Sequence, residues 1–142
     1  MSFRIVNPGA LGKPRGWNHG LLAPAWGRLL LVAGQTDRDA DGKIRGSTFV
    51  EQFRGALVNV LAVVREAGGA AGDIGRLTVY VTDLAAYRAS RRPLGEAYRE
   101  LMGRHYPAMA VLEVTGLVDE GAVVEIEATA VLPPGERPVR DA

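Results

Sequence analysis

The sequence predicts an α+β fold, a mixed β-sheet with two helices packed on one face, in a single domain spanning residues 1–142. Three observations carry this. Two-residue alternation runs through Val123 to Leu132, helical periodicity runs from Ser47 to Ala67, and the segments follow one another in the order β, β, β, α, β, α, β, β. A chain of 142 residues, 47% of them hydrophobic, is long and apolar enough for one core.

Phe3 to Val6 reads as a short strand stopped by Asn7, Pro8 and Gly9. A Gly- and Pro-rich loop continues through Gly16, followed by a strand around His19 to Leu22 and a turn over Ala23 to Gly27. Arg28 to Ala33 is a strand whose nearly continuous apolar run predicts cover on both faces, with Gly34 and Gln35 at its end. Within Ser47 to Ala67, Val50, Phe53, Leu57, Val60, Leu61 and Val64 recur at helical spacing. Ser47 or Thr48 caps that helix, and Gly68 and Gly69 stop it.

Arg76 to Thr82 alternates Leu77, Val79 and Val81 against Thr78, Tyr80 and Thr82, a β-branched and aromatic pattern that fits a strand. Asp83 ends it. The second helix is expected over Arg91 to Arg104, with Pro93 in its first turn and Leu94, Ala97, Tyr98 and Leu101 facing inward. His105 to Leu132 then reads as a strand pair, two alternating runs joined by a short acidic, glycine-containing connection. In the second run Val124, Ile126, Ala128, Ala130 and Leu132 share one face, and Val123, Glu125, Glu127, Thr129 and Val131 the other. Carboxylates mixed with valines suit a second protein surface with a cleft better than open water. From about residue 133 the polar, Pro-rich sequence is expected to form a loose tail.

Composition narrows the function classes. Lys+Arg 17 against Asp+Glu 16 leaves a net charge of +1, which gives no long-range attraction to nucleic acid or an anionic membrane. With no cysteine the chain has no disulfide, thiol nucleophile or thiolate metal site. No segment approaches the roughly 18 apolar residues of a membrane span, and the first residues lack the apolar run of a signal peptide. The default reading is a soluble cytoplasmic protein without metal or cofactor.

The pieces Val32-Ala-Gly-Gln35, Ala56-Leu-Val-Asn59 with Gln52 before it and Glu66-Ala-Gly68 after it, Val79-Tyr-Val-Thr-Asp-Leu84, Tyr106-Pro-Ala108 and Val124-Glu-Ile-Glu-Ala128 carry a likeness over nearly the whole chain. In this order and spacing the sequence resembles the reactive intermediate deaminases, the Rid or YjgF family, once labelled translation inhibitors or L-PSP endoribonucleases. The resemblance implies a chorismate-mutase-like fold and a homotrimer with clefts between subunits that take a small-molecule metabolite. In the family's deaminase branch an arginine after Pro-Ala clamps the substrate carboxylate, a task suited to its planar fork. Here that position is Met109. The chain looks like a branch lacking this arginine, and the resemblance then points away from small amino-acid imines.

Glu125 matches the family's acidic residue, which orients or activates water, and a carboxylate in a partly apolar cleft has the raised proton affinity such work needs. The plain alternative is a hydrogen-bonded strand residue or an interface ion pair. Gly34 and Gln35, at a strand end, are candidates for ligand contact through the backbone, or simply a turn and a capping amide. Trp17 falls where the family has a cleft-lining tyrosine. His19 beside it has the intrinsic acidity of a proton shuttle, although a loop histidine is more often solvated. His105 is expected to cap the carbonyls at a helix end.

Arg91 and Arg92 can restore the missing positive charge from the second helix, or form a solvated basic pair that opposes the helix dipole. With Met109 and Trp17 as apolar walls, a neutral or larger, partly apolar ligand ranks ahead of that relocated arginine. Asp37 to Gly42 mimics half of a calcium loop, but Arg45 and Thr48 occupy the places of later ligands, and the segment reads as a hairpin turn. No phosphate-cradling GxxxxGK[ST], HExxH or Gly-x-Ser-x-Gly motif is present. Hydrolysis of an enamine or imine, a non-catalytic metabolite-binding or interaction role, and RNA cleavage remain in that order. For the last, the sequence shows no basic stripe with interleaved aromatics.

Overall fold

The computed structural model describes residues 3–135, so the end of the expected loose tail, 136–142, lies outside the described residues. A small two-stranded sheet pairs β1 (Arg4–Val6) with β2 (Gly20–Leu22) in antiparallel fashion, apart from the main sheet. The main sheet holds four strands, β3 (Arg28–Gln35), β4 (Ile74–Val81), β5 (Ala108–Glu113) and β6 (Val124–Leu132), in the spatial order β3-β6-β4-β5.

The long helix α1 (Phe49–Glu66) begins as the periodicity predicts. Of the two candidate caps, Thr48 serves: its hydroxyl accepts from the Glu51 amide at 3.2 Å, and the Glu51 carboxylate accepts from the Ser47 and Thr48 amides. These bonds hold the Glu51 carboxyl below its usual range. At the other end Gly68 adopts φ +85°, which lets the chain leave the helix without a Cβ clash. The buried stripe is Phe53, Ala56, Leu57, Val60, Leu61 and Val64, together with one polar residue, Gln52. Its amide donates to the Gly46 and Gly121 carbonyls and accepts from the Val123 amide at 2.8 Å, fixing the helix to the segment that leads into β6.

Between β4 and β5 lie two helices where one was expected, α2 (Leu84–Ala89) and α3 (Arg91–Met102). Asp83 ends β4 and also caps α2, accepting from the Ala86 amide at 3.0 Å. In α3, Leu94, Ala97, Tyr98 and Met102 are buried, while Leu101 is half-buried against the core. This helical crossover allows β5 to run parallel to β4.

The two alternating runs at the C-terminal end are therefore not a pair. β5 takes the sheet edge, and β6 runs antiparallel between β3 and β4. The link between them passes the end of β4, with Val114 donating to Val81 and the Val123 carbonyl accepting from Thr82. Alternation fixes which face a residue takes, and it leaves the identity of the neighbouring strand open.

Along β6 every residue from Val124 to Leu132 on the even-numbered positions is buried against the helices, and every intervening one is half-buried on the other side. That other side carries large apolar residues in the open. Leu29 and Leu31 of β3 are 65% and 72% exposed. The cover expected on both faces of β3 is thus present on one face within a single chain.

Candidate functional site

Strand register divides the candidate residues between the two faces of one sheet. Met109 lies opposite Leu77 and Val111 opposite Val79, both buried on the helix side. Glu125 lies opposite Tyr80 on the reverse side, and Glu127 lies opposite Thr78. Residues directly opposite each other point the same way, so Met109 and Glu125 of one chain face away from each other.

On the helix side is a cavity of about 770 Å³. Met109 and Val111 form its floor, Leu94 and Tyr98 of α3 and Tyr106 its inner wall, and Trp17 part of its rim. Tyr98 and Tyr106 stack with centroids 5.6 Å apart, and the Tyr98 hydroxyl donates to the His105 carbonyl at 2.6 Å. Burial, followed by the neighbouring Tyr106, pushes the Tyr98 phenol well above its usual acidity range. Trp17 reaches the rim because Asn18 ties its loop to β5: the Asn18 amide donates to the Pro107 carbonyl, and its side chain donates to the Tyr106 carbonyl at 2.6 Å. Arg91 lines this cavity, and so do Arg15, Arg88 and Arg99, which sequence reasoning did not single out. The available signal was the helical spacing of Arg91, Gly95 and Arg99, which puts all three on one face of α3.

On the reverse face the Glu125 carboxylate lies against Gly34. A Cβ built on Gly34 would come within 2.1 Å of Glu125 Oε1, so the absent side chain is the space the carboxylate occupies. A register shift between Val32 and Gln35 marks an irregularity of β3 at this point. Burial raises the Glu125 carboxyl above its ordinary 4.5, and the charges of Asp119 and Glu127 add to the effect. Both neighbours are held. Asp119 accepts from Thr36 Oγ1 at 2.5 Å and pairs with Arg38 at 3.4 Å, while Glu127 accepts from the Tyr80 hydroxyl at 2.8 Å. Glu125 has no hydrogen-bond donor among the described residues, which leaves this carboxylate free for a ligand or water.

The other candidates fall elsewhere. The Gln35 side chain donates to the Ala33 carbonyl on its own strand at 3.1 Å. His19 packs edge-on against Trp17 at 4.6 Å, with Nε2 3.3 Å from the Gly12 carbonyl, behind the rim of the cavity and outside its lining. Arg92 pairs with Glu96 one turn along, both exposed, and is absent from the cavity wall. The His105 amide donates to the Met102 carbonyl at the end of α3 at 3.3 Å, while its ring bonds the Ile74 carbonyl at 2.6 Å and stacks on Phe3, so the cap comes from the backbone and the side chain ties this segment to the start of β4. Asp39 accepts from the Asp41 and Lys43 amides and Gly42 takes φ +82°, so the calcium-like segment is a tight turn whose acid is spent on its own backbone. Among the described residues no three His, Cys, Asp or Glu side chains are grouped to hold a metal ion, and no helix is long and apolar enough to cross a membrane.

This four-stranded mixed sheet backed by α1 and α3 on one face is similar in fold to a conserved Rid family protein, YyfB, of Yersinia pestis. The two superpose with a TM-score of 0.81 at 29% identity, covering 93% of this chain and 100% of that one. The YjgF gene product of E. coli gives a TM-score of 0.63 at 28% identity, over 88% and 92% of the two chains. In sequence, a RutC family protein of Pyrococcus abyssi is 32% identical over 105 residues, 73% of this chain and 79% of its own. A goat (Capra hircus) protein named 2-iminobutanoate/2-iminopropanoate deaminase is 30% identical over 108 residues, 75% of each chain. The chain belongs to the family described as Endoribonuclease L-PSP, which it matches over residues 13–132.

Proposed function

We propose that the protein hydrolyses a C=N bond, presented as an imine or its enamine tautomer in a small metabolite, in clefts formed where copies of a homotrimer meet. One observation carries the reading: the cavity at Met109 and the free, proton-seeking Glu125 lie on opposite faces of one sheet. Neither half is a site alone. A second copy seated against the open face, over Leu29 and Leu31, would bring its own cavity to Glu125 and bury apolar surface that water now touches. The goat relative's name supports imine chemistry for the family.

In that cleft Glu125 takes a proton from water as the water oxygen adds to the C=N carbon, and returns it to the nitrogen, giving a carbinolamine. Glu125 then takes the hydroxyl proton and passes it to the amine nitrogen as the C–N bond breaks, so that a C=O bond forms and ammonia leaves. Met109 provides no charge for a substrate carboxylate, so specificity differs from that of the deaminase branch it resembles. The test is complementation. Glu125→Ala and Met109→Trp, which fills the cavity, are each expected to be inactive towards imines generated in situ. Refolded together in equal amounts, about a quarter of the clefts should combine two intact halves and regain activity. A monomeric mass by light scattering, or no recovery on mixing, overturns the shared site. Wild type and Glu125→Ala both at the uncatalysed rate for every imine overturn the enzyme and leave a binding module.

A further inference from the structure

We propose that the helix-side cavity selects a doubly charged anion, a phosphate monoester or a dicarboxylate, carried on a flat or apolar body. The inference rests on that cavity being the ligand-binding half of the proposed site, and it names the substrate class. Arg15, Arg88, Arg91 and Arg99 reach it from three segments: the loop before β2, the end of α2, and α3. Among the described residues none of the four guanidiniums makes a hydrogen bond or ion pair, and no acidic side chain lines the cavity.

The two carboxylates of α3 are engaged elsewhere. Glu96 pairs with Arg92, and Glu100 takes a two-pronged contact from Arg54 at 2.7 and 2.8 Å. Arg54 and Glu100 each show the mutual stabilisation of the charged forms expected of that geometry. Gly95 matters on the opposite face: a Cβ there would sit 3.3 Å from Arg99 Nη1, so its absence gives the Arg99 side chain room beside the cavity wall. Four like charges around a concavity with aromatic walls concentrate positive potential there, although the whole chain carries only +1. A single carboxylate can engage one guanidinium fork fully and leaves the others uncompensated, whereas two negative charges can satisfy two forks. Trp17 and Met109 then contact the ligand's uncharged body.

Full-length protein should be titrated calorimetrically with phenyl phosphate, homophthalate and benzoate at about pH 8, where a phosphate monoester carries nearly two charges. At least one dianion is expected to bind about tenfold or more tightly than benzoate, and to lose most of that advantage in about 0.5 M NaCl. Which dianion binds separates the phosphate source from the dicarboxylate source. Arg88→Gln and Arg91→Gln, both at exposed positions, should each weaken the dianion about tenfold while leaving benzoate nearly unchanged. Equal affinity for benzoate, or no binding by any probe, overturns the inference. Arginine variants that lower the oligomer mass and leave ligand binding intact also overturn it, by assigning these residues to contacts between copies. Dianion preference without imine turnover would break the proposed reaction alone, and turnover without dianion preference would break this inference alone.

Discussion

The helix-side cavity and the Glu125 surface sit back to back on the same sheet and carry opposite charge. In the cavity, four cations share open space without a counter-charge among the described residues. Around Glu125, three acids are crowded together, two of them quieted by Thr36, Arg38 and Tyr80 and the third left to hold its proton more tightly. One surface gathers unpaired cations around a concavity, and the other gathers acids on a strand. A strand's two faces can be specialised this way because a change on one face leaves the packing of the other largely intact.

The sharpest test of that independence is on β6 itself. Ile126→Ala, at a position with no exposed surface, should cost about 3 kcal/mol of stability through lost transfer energy and a residual cavity, read from urea melts. The fold would weaken with the Glu125 environment unaltered in kind. Gly34→Ala should do the reverse. The new methyl displaces the Glu125 carboxylate, and turnover should fall about a hundredfold with little change in helical content by circular dichroism.

Asn18→Ala touches the other half. Losing two bonds from a loop side chain and leaving the Tyr106 carbonyl unpaired should cost about 1–2 kcal/mol, and the loosened Trp17 should raise KM more than it lowers kcat. A smaller effect on stability is expected from Glu125→Gln. A carboxyl whose proton affinity is raised on folding opposes folding once it ionises, so stability falls as pH rises through the carboxylate range. The glutamine variant should therefore melt slightly higher than wild type at neutral pH, and the gain should vanish in acid. Smallest of all, Arg92→Ala removes only an exposed pair with Glu96 and should stay within about 0.5 kcal/mol of wild type, with ligand affinity unmoved.

Much of this was legible in the sequence where local chemistry decides the outcome. The Val50 to Val64 periodicity and the Thr48 cap define α1, and the alternation from Val124 to Leu132 assigns each side chain its face. What could not be read was which elements become neighbours. Nothing in residues 108–132 says that the second run leaves the first and enters between two earlier strands, because strand pairing depends on contacts far apart in sequence. The six-residue α2 is too short to display a period, and its one signal, Asp83, was read as the end of a strand. Arg15, Arg88 and Arg99 are separately ordinary surface residues, and only the crossover brings them to the cavity with Arg91. Met109 and Glu125 looked like members of one cleft, and register shows that a single chain keeps them apart.

The position of β6 also has a consequence for biosynthesis. Among the described residues it is the last strand in sequence, and it is an interior strand in space, hydrogen-bonded to β3 on one side and β4 on the other. While the chain emerges from a ribosome, β3 can wait with α1, and β4 can associate with β5, but β3 and β4 cannot be joined in one sheet until β6, which lies between them, has cleared the exit tunnel. A nascent chain arrested before residue 124 therefore presents two unpaired strand edges at once, which is the kind of surface chaperones hold and neighbouring nascent chains mispair with.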